Sequence, residues 1–188
     1  MLRRALVAVA FAAVALLGVA PGPAQAGKPV EHSHFEGTDS FDETVCGLDV
    51  HFEVAFSGVA TIRPVRDSDG QAFFGHSTVG FTETITLADP TSNAFVTTRG
   101  QFNFVEQHAT HLSGDLWQFE ASEAGTFTVR DSDGNTLIHD RGVAKFTAVF
   151  DTLGDSQPGG ILLDEQVVLH GPHSTEEAFC AAFVGALT

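Results

Sequence analysis

The chain has 188 residues, with nine Lys and Arg against 24 Asp and Glu for a formal net charge of −15, 17 Phe, one Trp, no Tyr and two Cys. The acidic balance argues against nucleic acid and anionic membrane surfaces as partners, since both need positive charge to displace counterions. Without tyrosine there is no phenol to serve as a general acid or oxyanion donor, and two cysteines, should the chain be exported, read as one disulfide rather than as catalytic thiols.

Arg3 and Arg4, the small and apolar run Ala5 to Ala20, the break Pro21-Gly22-Pro23 and the A-x-A site Ala24-Gln25-Ala26 read as a signal peptide over residues 1–26. The expected product is one domain over 27–188, secreted to the extracellular space. It is free of the membrane, because the apolar run is short for a span and no cysteine stands at the cleavage site to take a lipid. Loss of Arg3 and Arg4 leaves seven basic residues against 24 acidic ones, a formal −17.

A short first strand is expected over Glu31–Glu36. From Cys46 to Ile62 the chain alternates, with Leu48, Val50, Phe52, Val54 and Phe56 on one side and Asp49, His51, Glu53, Ala55 and Ser57 on the other. A period of two is the signature of a strand with one buried face, and Gly58 suggests a bulge or bend in it. After the turn Arg66-Asp67-Ser68-Asp69-Gly70, a long strand runs from Gln71 to Leu87 with Val79, Phe81, Glu83, Ile85 and Leu87 on one face and a threonine-rich, solvent-facing row on the other.

The turn Ala88–Asn93 leads to a strand over Ala94–Glu106, a loop over His108–Asp115, and extended stretches over Leu116–Glu123 and Thr126–Arg130. Val129-Arg130-Asp131-Ser132-Asp133-Gly134 repeats Val65-Arg66-Asp67-Ser68-Asp69-Gly70 letter for letter, as two hairpins with the same turn chemistry would. Strands over Thr136–Thr152 and Ile161–His170 come next, separated by the Gly-Pro-rich loop 154–160. Ser174 with Glu177 forms a capping box that starts a short helix at Thr175, whose stripe of Cys180, Phe183, Val184 and Leu187 is apolar. Cys46 and Cys180 are then expected to join the long strand to this helix.

About eight antiparallel strands at regular spacing predict an all-β fold, an up-and-down β-barrel with a short C-terminal helix; a β-sandwich is the alternative. Within it, Phe52, Val54, Phe56, Phe81, Phe102, Phe104 and Phe119 are the candidates for lining an apolar interior. Glu83 and Glu106 interrupt apolar faces, so they either sit inside with raised pKa values, fit for acid or base work, or face water near strand ends. His32, His34 and Glu36 share one face of a strand and offer imidazole and carboxylate groups to a divalent metal, but they lack a defined fourth ligand and solvated histidines are the plainer reading. No cofactor is expected.

The signal peptide, His32-Ser33-His34-Phe35, the run Asp42 to Val50 and Ala178-Phe179-Cys180-Ala181 together resemble a family of uncharacterised secreted actinobacterial β-proteins. That resemblance implies secretion, the disulfide and a β fold. The outline of the barrel is also similar to allene oxide cyclase and dirigent barrels, which act on or guide small apolar molecules; this is analogy of fold alone. The resulting expectation is a binding module that holds a small apolar molecule in a barrel. A cyclase or isomerase-type enzyme using an interior glutamate and a solid-cored structural protein are the alternatives. Oligomeric state is not legible.

Overall fold

A computed structural model of the chain describes residues 31–89 and 93–188. Residues 1–26, read from the sequence as a signal peptide, and the centre of the Ala88–Asn93 turn lie outside the described residues. Seven antiparallel strands succeed one another in a single sheet: β1 (Glu31–Val45), β2 (Leu48–Pro64), β3 (Phe73–Leu87), β4 (Phe95–Ser113), β5 (Leu116–Arg130), β6 (Thr136–Asp151) and β7 (Ile161–His170). A single helix, α1 (Glu176–Leu187), ends the described chain.

The ladder runs in sequence order from β1 to β7, and β1 and β7 are not bonded to each other. The closed barrel of about eight strands is therefore corrected to an open sheet of seven, which fits the sandwich alternative better even though all the strands share one ladder. The reason lies at the end of β7. Its pairing covers β6 only from Val143 to Asp151; at Gly171, with φ of 108°, the chain leaves the sheet. The last residues then pack as α1 against the inner-face core, and the strands number seven because the stretches Leu116–Glu123 and Thr126–Arg130 are one strand, β5, paired with β6 straight through Gly125.

The sheet curls all the same. Phe104 on β4 and Phe146 on β6 meet with ring centroids 6.2 Å apart, although strands two apart lie roughly 9.6 Å from one another. One face is therefore concave, and register assigns the residues to it. Phe52 pairs with Ile85 and with Phe41, Ile85 with Val96, Thr98 with Val129, and Val129 with Ile138, so these side chains share the inner face. At one end α1 inserts Phe183 and Leu187, both fully buried, among Val50, Val54, Val96 and Ile138. Removing each large side chain from water contributes about 1.5–3 kcal/mol. A second cluster of Val65, Ala72, Trp117 and Phe119 fills the far end.

The Cys46–Cys180 disulfide forms, with Cα atoms 5.3 Å apart. Cys46 is not the head of a strand, however. It and Gly47 have φ of 54° and 82° and make the two-residue turn between β1 and β2, where positive φ at both positions matches the twist of a hairpin. β1 accordingly extends far beyond Glu36, paired residue for residue with β2. The helix starts one residue later than the capping box implies: Thr175 is the N-cap and its Oγ1 accepts from the Ala178 amide at 3.2 Å. The loop expected over His108–Asp115 is mostly strand. β4 continues to Ser113 through irregularities at Gln107 and Leu112, and each extra residue shifts the alternation that marks a strand in the sequence.

Candidate functional site

The inner face falls into three zones. Among the candidate lining residues, Phe52 and Val54 belong to the helix-covered core and Phe119 to the second cluster. Phe56, Phe81, Phe102 and Phe104 occupy the middle and stay half-buried. Phe127, which sequence reasoning passed over, joins them; it pairs with Gly100 across the β4–β5 ladder.

These rings lie over glycines. Phe56 faces Gly37, Phe81 faces Gly100 and Phe102 faces Gly125, each directly across a ladder, and a methyl group on any of these glycines would overlap the ring. Lacking a Cβ, glycine lets an aromatic ring lie down on the neighbouring backbone and bends the strand at the same point. Phe81 and Phe102 consequently stack at 5.4 Å with planes 6° apart. Rings that lie flat do not fill the space above the sheet as upright side chains would.

Both candidate glutamates point inward, not to water at strand ends. Glu83 is 6% exposed; burial pushes its carboxyl up to about 7, against the opposing pull of a hydrogen bond with Thr98. Burial likewise pushes Glu106 up to about 7, partly offset by the Gly75 amide, which donates to its Oε2. The two are not partners. Glu83 pairs with Thr98, eight residues before Glu106 on β4, or roughly 27 Å along a strand. That exceeds either separation used in glycoside hydrolysis, roughly 5–9.5 Å. The neighbour of Glu106 is Glu123, diagonal to it across β4 and β5 and also raised by burial. Glu123 was missed because the sequence around it alternates small residues with polar ones. Nearby in the second cluster, the Trp117 Nε1–H is buried with no hydrogen-bond partner among the described residues.

The metal candidates lie on the outer face of β1. His32 Nδ1 is 3.0 Å from Thr61 Oγ1, and its ring meets that of His34 edge to face at 5.4 Å. Among the described residues no group of three His, Cys, Asp or Glu side chains is placed to hold a metal ion.

The outer face carries a feature the sequence left as plain solvent-facing threonine. An open groove of about 870 Å³ crosses β1 to β5, lined by Glu36, Thr38, Ser57, Thr82, Arg99, Gln101, Thr126 and Thr128 along with adjoining backbone. No helix among the described residues is long and apolar enough to cross a membrane. No family model, no curated protein and no solved structure matches the chain.

Proposed function

We propose that the protein is a secreted binding module that holds a small apolar molecule against the middle of its inner face. The observation supporting this is aromatic surface left half-exposed: Phe56, Phe81, Phe102 and Phe104 lie between two buried clusters, in contact with one another or with neighbouring rings, and each stays only half-buried. A contiguous uncovered apolar surface in the concavity of a sheet is where a guest gains most from leaving water. Covering roughly 200 Å² of it is worth about 5 kcal/mol before the costs of association.

The test has two arms. Native mass spectrometry of protein from its own source should show a co-purifying small molecule, and a neutral naphthylamine dye should bind the purified protein in a saturable way. Phe81→Ser and Phe102→Ser should each weaken the dye at least tenfold while leaving the melting transition cooperative. Equal dye affinity in both variants sinks the reading.

A second reading rests on Glu106. A carboxyl held at about 7 at the margin of an aromatic surface is poised to exchange a proton with a bound molecule at neutral pH, as a cyclase or isomerase would require. Glu106→Gln would then stop conversion of the bound molecule while dye binding survived; conversion that persists removes this reading.

A further inference from the structure

On the outer face of the β1–β2 hairpin, away from the aromatic surface, three side chains stand in sequence. Asp42 and His51 face each other directly across the ladder, with His51 Nδ1 2.7 Å from Asp42 Oδ1. Ser40 is two residues before Asp42 on the same face, and its Oγ is 3.1 Å from His51 Nε2. The chemistry of the partners sets the proton positions. An ionised carboxylate only accepts, so Nδ1 carries the ring proton and donates to Asp42; Nε2 is left as the acceptor for the Ser40 hydroxyl. This is the order nucleophile, base, orienting carboxylate that acyl transfer uses on unrelated folds. Isolated strand histidines are ordinarily solvated surface groups, but here both ring nitrogens are engaged and the backbone on both sides is held by the ladder.

We infer that Ser40, His51 and Asp42 form an acyl-transfer site for small activated esters, served by the neighbouring outer groove. Thr38, the next outward residue of β1 before Ser40, lines the groove's end. Thr38, Ala55, Thr82 and Arg99 form one row across the sheet, putting the Arg99 position about three strand spacings, roughly 14 Å, from that of Thr38. An elongated ester with an anionic far end fits that row.

In the first step Ser40 Oγ bonds to the ester carbonyl carbon as its proton passes to His51 Nε2. The bond to the leaving alcohol then breaks and the alcohol takes that proton. In the second step water attacks the acyl-serine carbonyl and gives a proton to His51; the Ser40–acyl bond breaks, Ser40 recovers the proton, and the carboxylic acid departs. Asp42 is a positioning residue, which holds the tautomer and offsets the charge that forms on His51. The Ser40 amide donates to Asp39 Oδ1 at 2.8 Å and so does not serve a developing oxyanion. That confines the reaction to esters whose leaving group needs little help.

The experiment uses a fluorophosphonate probe and p-nitrophenyl esters on the purified full-length product. The expected results are a single label mapped to Ser40, lost in Ser40→Ala and kept in the loop variant Ser132→Ala. Turnover of p-nitrophenyl acetate should fall by about a hundredfold or more in His51→Gln. Asp42→Asn should lower kcat with KM unchanged and with no change in melting. Arg99→Gln should raise KM for p-nitrophenyl esters of dicarboxylic acids but not for the acetate. A label spread over several serines, a label undiminished in His51→Gln, or acetate turnover equal in Ser40→Ala and the parent overturns the proposal. Dye binding at the inner face is independent of all these outcomes.

Discussion

Glu106 accepts a hydrogen bond from the Gly75 amide where β3 parts from β4, so a side chain takes over from the ladder. A carboxylate in that place is poorly hydrated, and its charge costs stability. Glu106 and Glu83 each stand at about 7 against an ordinary 4.5. The folded state therefore binds these two protons more tightly than the unfolded chain does. Their contribution is greatest below about pH 4.5 and is lost as pH rises through 7, about 3 kcal/mol for each at the upper bound. We expect the urea midpoint, followed by the fluorescence of Trp117, to be higher at pH 5 than at pH 8. In the double variant Glu83→Gln, Glu106→Gln the difference should largely vanish. A parent chain equally stable at both pH values contradicts this.

The disulfide closes a separation of 134 residues between the β1–β2 turn and α1. In the chain-entropy account a loop of that length contributes about 5 kcal/mol. Peptide mapping without reductant should recover Cys46 joined to Cys180, and the double Cys→Ser variant should melt well below the parent. Since Phe183 and Leu187 still have apolar partners in the core, the variant should retain its β-sheet circular dichroism. Unchanged melting on reduction would show that the helix holds its place without the bond.

Asp140 anchors the segment that leaves the sheet. Its Oδ1 lies 3.0 Å from His173 Nδ1 and its Oδ2 accepts from the Ser174 amide at 2.8 Å; His173 also sits over Gly142 and lies 3.1 Å from the His170 carbonyl through Nε2. Asp140→Ala leaves a part-buried amide and an imidazole nitrogen without partners, at about 1–3 kcal/mol for each group fully buried. Hydrogen exchange over 173–188 should quicken in that variant while β2 and β3 stay protected. Uniform exchange across the chain would mean that the clasp is coupled to the whole sheet.

Much of the fold was legible from alternation, and the rest was hidden for local reasons. Once Cys46-Gly47 is recognised as a two-residue turn, every β1–β2 pair is set, Asp42 opposite His51 included; reading Cys46 as part of a strand hid it. The repeated hexapeptide shows the opposite limit. In its first copy Asp67 and Asp69 have positive φ, and Ser68 is buried and donates to the Val65 carbonyl at 2.9 Å. In its second copy Val129 and Arg130 are strand, and Asp131 accepts from Asn135 through backbone and side chain. The letters agree but the neighbours differ: Ala72 is buried after the first copy, while Asn135 after the second can bond back to Asp131. The eighth strand of the sequence count came from Gly125, which reads as a break between two extended stretches but pairs with Gly142 in the middle of β5.

The stack of Phe102 on Gly125 links the fold to the proposed guest. A Cβ at Gly125 would overlap the ring and come within 3.1 Å of the Gln101 carbonyl, so Gly125→Ala should cost about 1–3 kcal/mol, the range of an overpacked site. In a Phe102→Ala background the ring is gone and only the carbonyl contact remains, so the same substitution should cost appreciably less. That difference is a coupling energy, expected at about 1 kcal/mol or more for groups in contact. Dye affinity should follow the ring: Gly125→Ala lifts Phe102 off the backbone into the concavity and should weaken the dye even at temperatures where the variant is fully folded. Strictly additive stabilities, together with unchanged dye affinity in Gly125→Ala, would mean that the flat ring neither bends the sheet nor opens the surface above it.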